Sequence, residues 1–140
     1  MVVVELTVPG VPIGQPRQRH TLSGRNYLPK DHPVNAFKAG LRLAWANSGG
    51  HPINGACHVR ILAVFPRPAR LIWKTRPMLQ QPHAAKPDAD NVAKAVLDAL
   101  TNLAWKDDSI VSDLTVHKRI AAGGEQPHVL VEITELNEGV

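Results

Sequence analysis

The chain has 140 residues, 44% of them hydrophobic, which suits one soluble domain with its own core and leaves no apolar run long enough to span a bilayer. Lysines and arginines number 16 against 12 acids, a formal charge of +4 and a pI of about 9.6, so phosphate-bearing partners are favoured without one being specified. The single Cys57 excludes an internal disulfide and a Cys-x-x-Cys zinc site and reads as a small buried hydrophobe; the 7 histidines fall at no familiar ligand spacing, and aromatics are too few for a single-strand stacking platform.

Residues 1–8 form a β-branched run ended by Pro9-Gly10 and are expected as the first strand. No basic leader precedes an apolar segment there, so neither a signal peptide nor a membrane anchor is visible and the expected location is the cytoplasm. Residues 11–32 are rich in Pro, Gly and basic side chains without a period, which predicts an extended loop with a short hairpin near Ser23-Gly24-Arg25-Asn26. Arg17, Arg19, His20, Arg25 and Lys30 make it cationic: either a solvated loop or an arm that contacts phosphates. Pro33, then Val34, Phe37, Leu41 and Trp45 at helical spacing, then Ser48-Gly49-Gly50, predict a helix over 33–47. Residues 56–65 alternate, with Cys57, Val59, Ile61, Ala63 and Phe65 on one side, and are expected as a strand stopped by Pro66. Residues 67–87 hold several prolines with Arg67, Arg70, Lys74, Arg76 and Lys86, and at most one helical turn around Leu71-Ile72-Trp73-Lys74. They read either as a mobile connector or as a surface for a phosphodiester backbone.

The most informative stretch begins at Lys86-Pro87-Asp88-Ala89-Asp90-Asn91. Proline followed by capping residues predicts a helix starting near Asp90. Val92, Val96, Leu100 and Leu103, flanked by Ala93 and Ala99, share its buried face; Asp90, Lys94, Asp98 and Thr101 share the opposite arc, with Asn91 at its edge. That arc alone is what a solvated face with Asp–Lys pairs would show, each pair contributing about 0.2–0.5 kcal/mol. The density of acids argues for more: Asp88, Asp90, Asp98, Asp107, Asp108 and Asp113 are half of the 12 acidic residues of a basic chain. Carboxylates so gathered repel one another unless a hard divalent cation offsets them, and such a cation takes one or two carboxylates plus waters and substrate phosphate. An acidic metal cup in a cationic protein points to nucleic acid.

After the acidic pair, residues 110–120 and 128–136 are expected as two strands, antiparallel neighbours joined by a loose hairpin at Gly123-Gly124-Glu125-Gln126-Pro127. The expected fold is α+β: a single domain over 1–140 in the order β-α-β-α-β-β, a mixed sheet with helices packed on one face.

K-P-D-x-D-N-x-x-K-x-x-x-D-A-L from Lys86, followed by W-x-D-D from Trp105, resembles the signature of the RusA family of Holliday-junction resolvases. The lead from Gly10 to Arg19 is similar to that family's Gly/Pro-then-basic opening. The resemblance implies an endodeoxyribonuclease of DNA recombination and repair that resolves four-way junctions by paired symmetric nicks, acts as a homodimer, uses Mg²⁺ with Mn²⁺ as the alternative, needs no small-molecule cofactor, favours a CC step and often sits in prophages. It carries catalytic aspartates onto Asp88, Asp90 and Asp108, the metal ligands, and a catalytic lysine onto Lys94. Asn91, Asp98 and Asp107 are expected around them, Asp98 orienting Lys94, and Arg17, Arg19, Arg67, Arg70, Lys74, Arg76 and Lys86 on DNA. The apolar residues Leu71, Ile72, Trp73, Met78 and Leu79 are candidates for the dimer interface. Ile110 stands where the family often has Gln, which puts junction or sequence preference in question. Two other readings fit the same residues: a non-catalytic basic DNA-binding module, and a metal nuclease for flaps or RNA.

Overall fold

The computed structural model describes residues 3–16, 19–20, 26–27 and 31–136. In chain order these form β1 (Val3–Pro9), β2 (Arg19–His20), β3 (Asn26–Tyr27), α1 (Pro33–Ser48), β4 (Cys57–Phe65), β5 (Gln81–Pro82), α2 (Ala89–Leu100), β6 (Val111–Ile120) and β7 (His128–Glu135). The major elements keep the expected β-α-β-α-β-β order. Three short strands add to it: β2 pairs with β3 as the hairpin expected in the basic loop, and β5 lies in the connector. The turn of that hairpin, with Ser23, Gly24 and Arg25, lies outside the described residues, as do Arg17 and Lys30.

One mixed sheet has the strand order β1-β7-β4-β6-β5. Its inner face is apolar because alternation places Val4, Leu6 and Val8, Val59, Ile61 and Ala63, and Val129, Val131 and Ile133 on one side, all buried. On the other side polar pairs cross the strands: Arg60 to Glu132 at 3.0 Å and His58 to Thr115 at 2.9 Å. α1 and α2 pack on each other, α1 against β1 and α2 against β6, and cover the apolar face together.

The local signals explain the helix ends. The His32 ring nitrogen accepts from the Val34 N–H at 3.0 Å ahead of Pro33, and Gly49 ends α1 with φ 72°, a left-handed conformation that costs glycine nothing. α2 begins one residue before the expected Asp90, with Asp88 as its cap. Ala95 is buried along with Val92, Ala93, Val96, Ala99 and Leu100, since α2 is covered from both α1 and the sheet.

Two expectations are corrected. β6 and β7 are not neighbours: β4 lies between them, parallel to β6 and antiparallel to β7. Burial explains the placement. β7 alternates fully buried Val129, Val131 and Ile133 and takes an interior position, whereas β6 is half-exposed, carries Asp113 and His117-Lys118-Arg119, and lies toward the edge, where charge is tolerated. The helical turn in the connector falls at Ala69–Leu71, two residues earlier than expected, after Pro68.

Candidate active site

Asp88 ends the connector and Asp90 lies in the first turn of α2; both are exposed. Although Asp88 occupies the capping position, its side chain makes no capping hydrogen bond. Among the described residues the one ion pair is Arg60–Glu132, so no described cation pairs with either carboxylate. Two bare carboxylates at a helix start leave their oxygens for a ligand from outside the chain.

The N-terminal segment fixes this lip. The Gln15 N–H donates to the Asn91 carbonyl at 2.8 Å, so the segment meets the start of α2 at Gly14 and Gln15. Gly14 permits the approach: a Cβ there would stand 2.7 Å from the Cβ of Pro87 and 3.3 Å from that of Asn91. The Gly/Pro opening and the acidic motif are therefore one unit in space, and the chain passes from this contact through Pro16 toward the basic arm. The Gln15 side-chain carbonyl is buried there without a hydrogen-bond partner. Gly14 and Gln15 were legible only as part of the opening motif; nothing local marks their contact with α2.

Lys94 is exposed one turn beyond Asp90. Asp98 makes no ion pair with it; its charge acts instead on Lys38 of α1. Burial lowers the Lys38 ammonium below its ordinary range, Asp98 opposes that shift, and Arg42 and Lys94 add to it. Asp98 thus lies near enough to Lys38 of α1 for its charge to be felt there. Lys38 has no sequence signal as part of this group of charges, because Lys94 and Asp98 are more than fifty positions away and only Arg42 is near in sequence.

The acidic pair is positioned by the turn that follows α2. The Thr101 hydroxyl donates to the Leu97 carbonyl at 2.9 Å and accepts from the Trp105 indole at 3.2 Å; Trp105 is buried, and the Ile53 N–H donates to the Ala104 carbonyl at 2.6 Å. Lys106, Asp107 and Asp108 project from this anchor, all exposed. Asp107 accepts from the Ser109 N–H at 2.9 Å and caps the short 3-10 turn Asp108–Ile110; that bond, first among its causes, holds the carboxyl below its ordinary range. Asp107 is spent on local structure, and Asp108 is the freer of the two.

The two acidic groups lie at opposite ends of α2, whose 12 residues rise about 18 Å. Among the described residues no three His, Cys, Asp or Glu side chains gather as a metal-holding group. The chemistry of the donors still fits a hard divalent cation, since carboxylate oxygens are its ligands and Mg²⁺ is held by one or two of them with waters and substrate phosphate.

Of the basic residues expected on DNA, Arg70, Lys74, Arg76 and Lys86 are exposed. Arg67 is committed elsewhere: it donates to the carbonyls of Leu71 (2.6 Å), Leu79 (2.9 Å) and Ala121 (3.2 Å). For Arg19 the backbone alone is described. No helix among the described residues is long and apolar enough to cross a membrane.

The profile of a family described as endodeoxyribonuclease RusA matches residues 9–134. The chain is also 31% identical over 142 residues to the "Uncharacterized protein YqaN" of Bacillus subtilis (strain 168), an alignment covering 96% of this chain and 97% of that protein.

Proposed function

The chain belongs to the RusA endodeoxyribonuclease family, and on that premise we propose that it resolves four-way DNA junctions by paired, Mg²⁺-dependent nicks as a homodimer. The observation that carries the reading is the acidic lip of α2, with Asp88 and Asp90 exposed and without an ion pair among the described residues, beside the segment that leads into the basic arm. A surface built only to hold DNA would gain nothing from uncompensated carboxylates at the phosphate.

Asp88 and Asp90 would hold the ion from one end of α2, with Asp108 as a further ligand. When bound there, Mg²⁺ would supply a water of lowered pKa and offset negative charge on the phosphate. Lys94, on the same arc as Asp90, offsets the charge that builds on the phosphate oxygens, and Asn91 stands beside the lip as a polar contact. In-line hydrolysis leaves 5′-phosphate and 3′-hydroxyl ends. Because the length of α2 separates Asp108 from Asp88 and Asp90 within one chain, a twofold dimer is the arrangement that would bring Asp108 of the partner subunit to the lip; the same symmetry gives two sites for two matched nicks.

The test is cleavage of a labelled four-way junction beside duplex, single strand, flap and RNA, in Mg²⁺ or EDTA. Paired nicks on the junction, absent in EDTA, with Asp90→Asn and Asp108→Asn lowered at least about a hundredfold and Asp107→Asn much less affected, are expected. Binding without cutting under every condition would establish the passive module instead, and preferential cutting of flaps or RNA would keep the chemistry while replacing the substrate.

A further inference from the structure

The connector between β4 and α2 carries a surface that the site does not use. Residues 66–87 include Arg67, Arg70, Lys74, Arg76 and Lys86 and no acidic residue. Far from a mobile link, residues 66–80 are stapled down. One guanidinium, that of Arg67, joins the carbonyls of Leu71 and Leu79 to that of Ala121, the Gly123 N–H donates to the Met78 carbonyl at 2.8 Å, and Gln80 donates to Glu125 at 2.9 Å. Within the loop the Arg76 guanidinium lies 3.8 Å from the centroid of the Trp73 ring. On this rigid base Ile72 is 59% and Leu79 73% exposed, and Arg67 draws the backbone at 71 beside that at 79.

Large apolar side chains displayed on a stiff loop lose little conformational freedom on binding, which marks a contact surface. Two occupants suit them: another protein face, a second copy included, or bases that have lost their stacking neighbours. Charge favours the bases of a nucleic acid over a self-pairing of this loop. A twofold interface would press an acid-free basic segment against its own copy, whereas a polyanion complements it. The start of the loop also meets the stretch that leads to Asp88, since Pro66, Pro68 and Arg70 share the wall of a cavity of about 480 Å³ with His83, Ala84 and Ala85.

We infer that the 66–80 loop binds DNA where stacking is interrupted, with Ile72 and Leu79 against exposed base faces and Arg70, Lys74 and Arg76 on the flanking phosphates. This rests on the junction reading above. The experiment uses the full chain and a four-way junction carrying 2-aminopurine at the branch point, in Ca²⁺, with anisotropy reporting affinity and 2-aminopurine emission reporting unstacking. Wild type raises the emission. The double variant Ile72→Ser/Leu79→Ser does not, and binds about tenfold more weakly with an unchanged salt slope, while Arg70→Gln/Lys74→Gln lowers that slope. Its unfolding midpoint, close to that of wild type because both side chains are exposed, shows that the fold is kept. A double variant equal to wild type in affinity and emission overturns the inference, as does one that sediments as a monomer where wild type is a dimer, which makes the loop a protein interface. A wild type that leaves junctions uncut in Mg²⁺ fails the junction reading itself and takes the loop's substrate with it; a cutting wild type with an unaltered double variant fails the loop alone.

Discussion

His83 shows how one side chain ties the connector to the sheet. Its ring stacks on Phe65 with centroids 4.2 Å apart and planes 14° from parallel, and its N–H joins β6 through the Lys118 carbonyl at 3.1 Å. The ring nitrogen Nδ1 is buried without a partner. Burial, helped by the nearby Lys118 ammonium, holds its pKa below the ordinary 6.5. The unfolded chain therefore takes up the proton first as pH falls, so the stability this group contributes is complete above pH 6.5 and declines below it, toward the depressed folded value. In His83→Phe the stack is preserved and the titration removed, so the difference in urea midpoint between variant and wild type should grow from about pH 7 to about pH 5 in the variant's favour. Parallel losses in the two proteins would show that other groups govern acid sensitivity. Arg67 teaches a complementary lesson, because an arginine in a basic stretch invites a phosphate reading until its donors are traced to three loop carbonyls.

At the scale of elements, the junction between the N-terminal segment and α2 is the contact on which the lip depends. α2 carries its own amphipathic pattern, and the residues on either side of Asp88 and Asp90 are held where Gly14 meets Pro87 and Asn91. Gly14→Ala places a methyl 2.7 Å from the Pro87 Cβ, and overpacking of this kind costs about 1–3 kcal/mol. Thermal unfolding should register that loss, and single-turnover cleavage should fall with it as the lip shifts. An alanine variant matching wild type in both would mean that the segment rests on α2 without setting its position. The turn after α2 works in the same way at the other end, where buried Trp105 anchors the exposed Asp107-Asp108 pair.

For the whole molecule, the parallel pairing of β4 with β6 carries the chain over the sheet through α2, leaving acids at both ends of that helix. If sites are shared across a dimer, mixing and exchanging Asp90→Asn with Asp108→Asn subunits should restore cutting. Each mixed dimer then holds one intact set and one doubly altered set, and makes single nicks. Continued inactivity after verified exchange would assign the whole site to one chain. The sequence by itself determined the first strand, the acidic helix and its start to within one residue, the core faces of α1 and β4, and the motif that marks the family, because periodicity, caps and spacing act between near neighbours. Only the tertiary structure decided that β7 enters between β1 and β4, that Gly14 and Gln15 cover the start of α2, that Lys38 comes near Asp98, and that the proline-rich connector is a stapled loop. Those outcomes depend on which distant surfaces bury each other and which donors meet which carbonyls, and neither is written in the order of neighbouring residues.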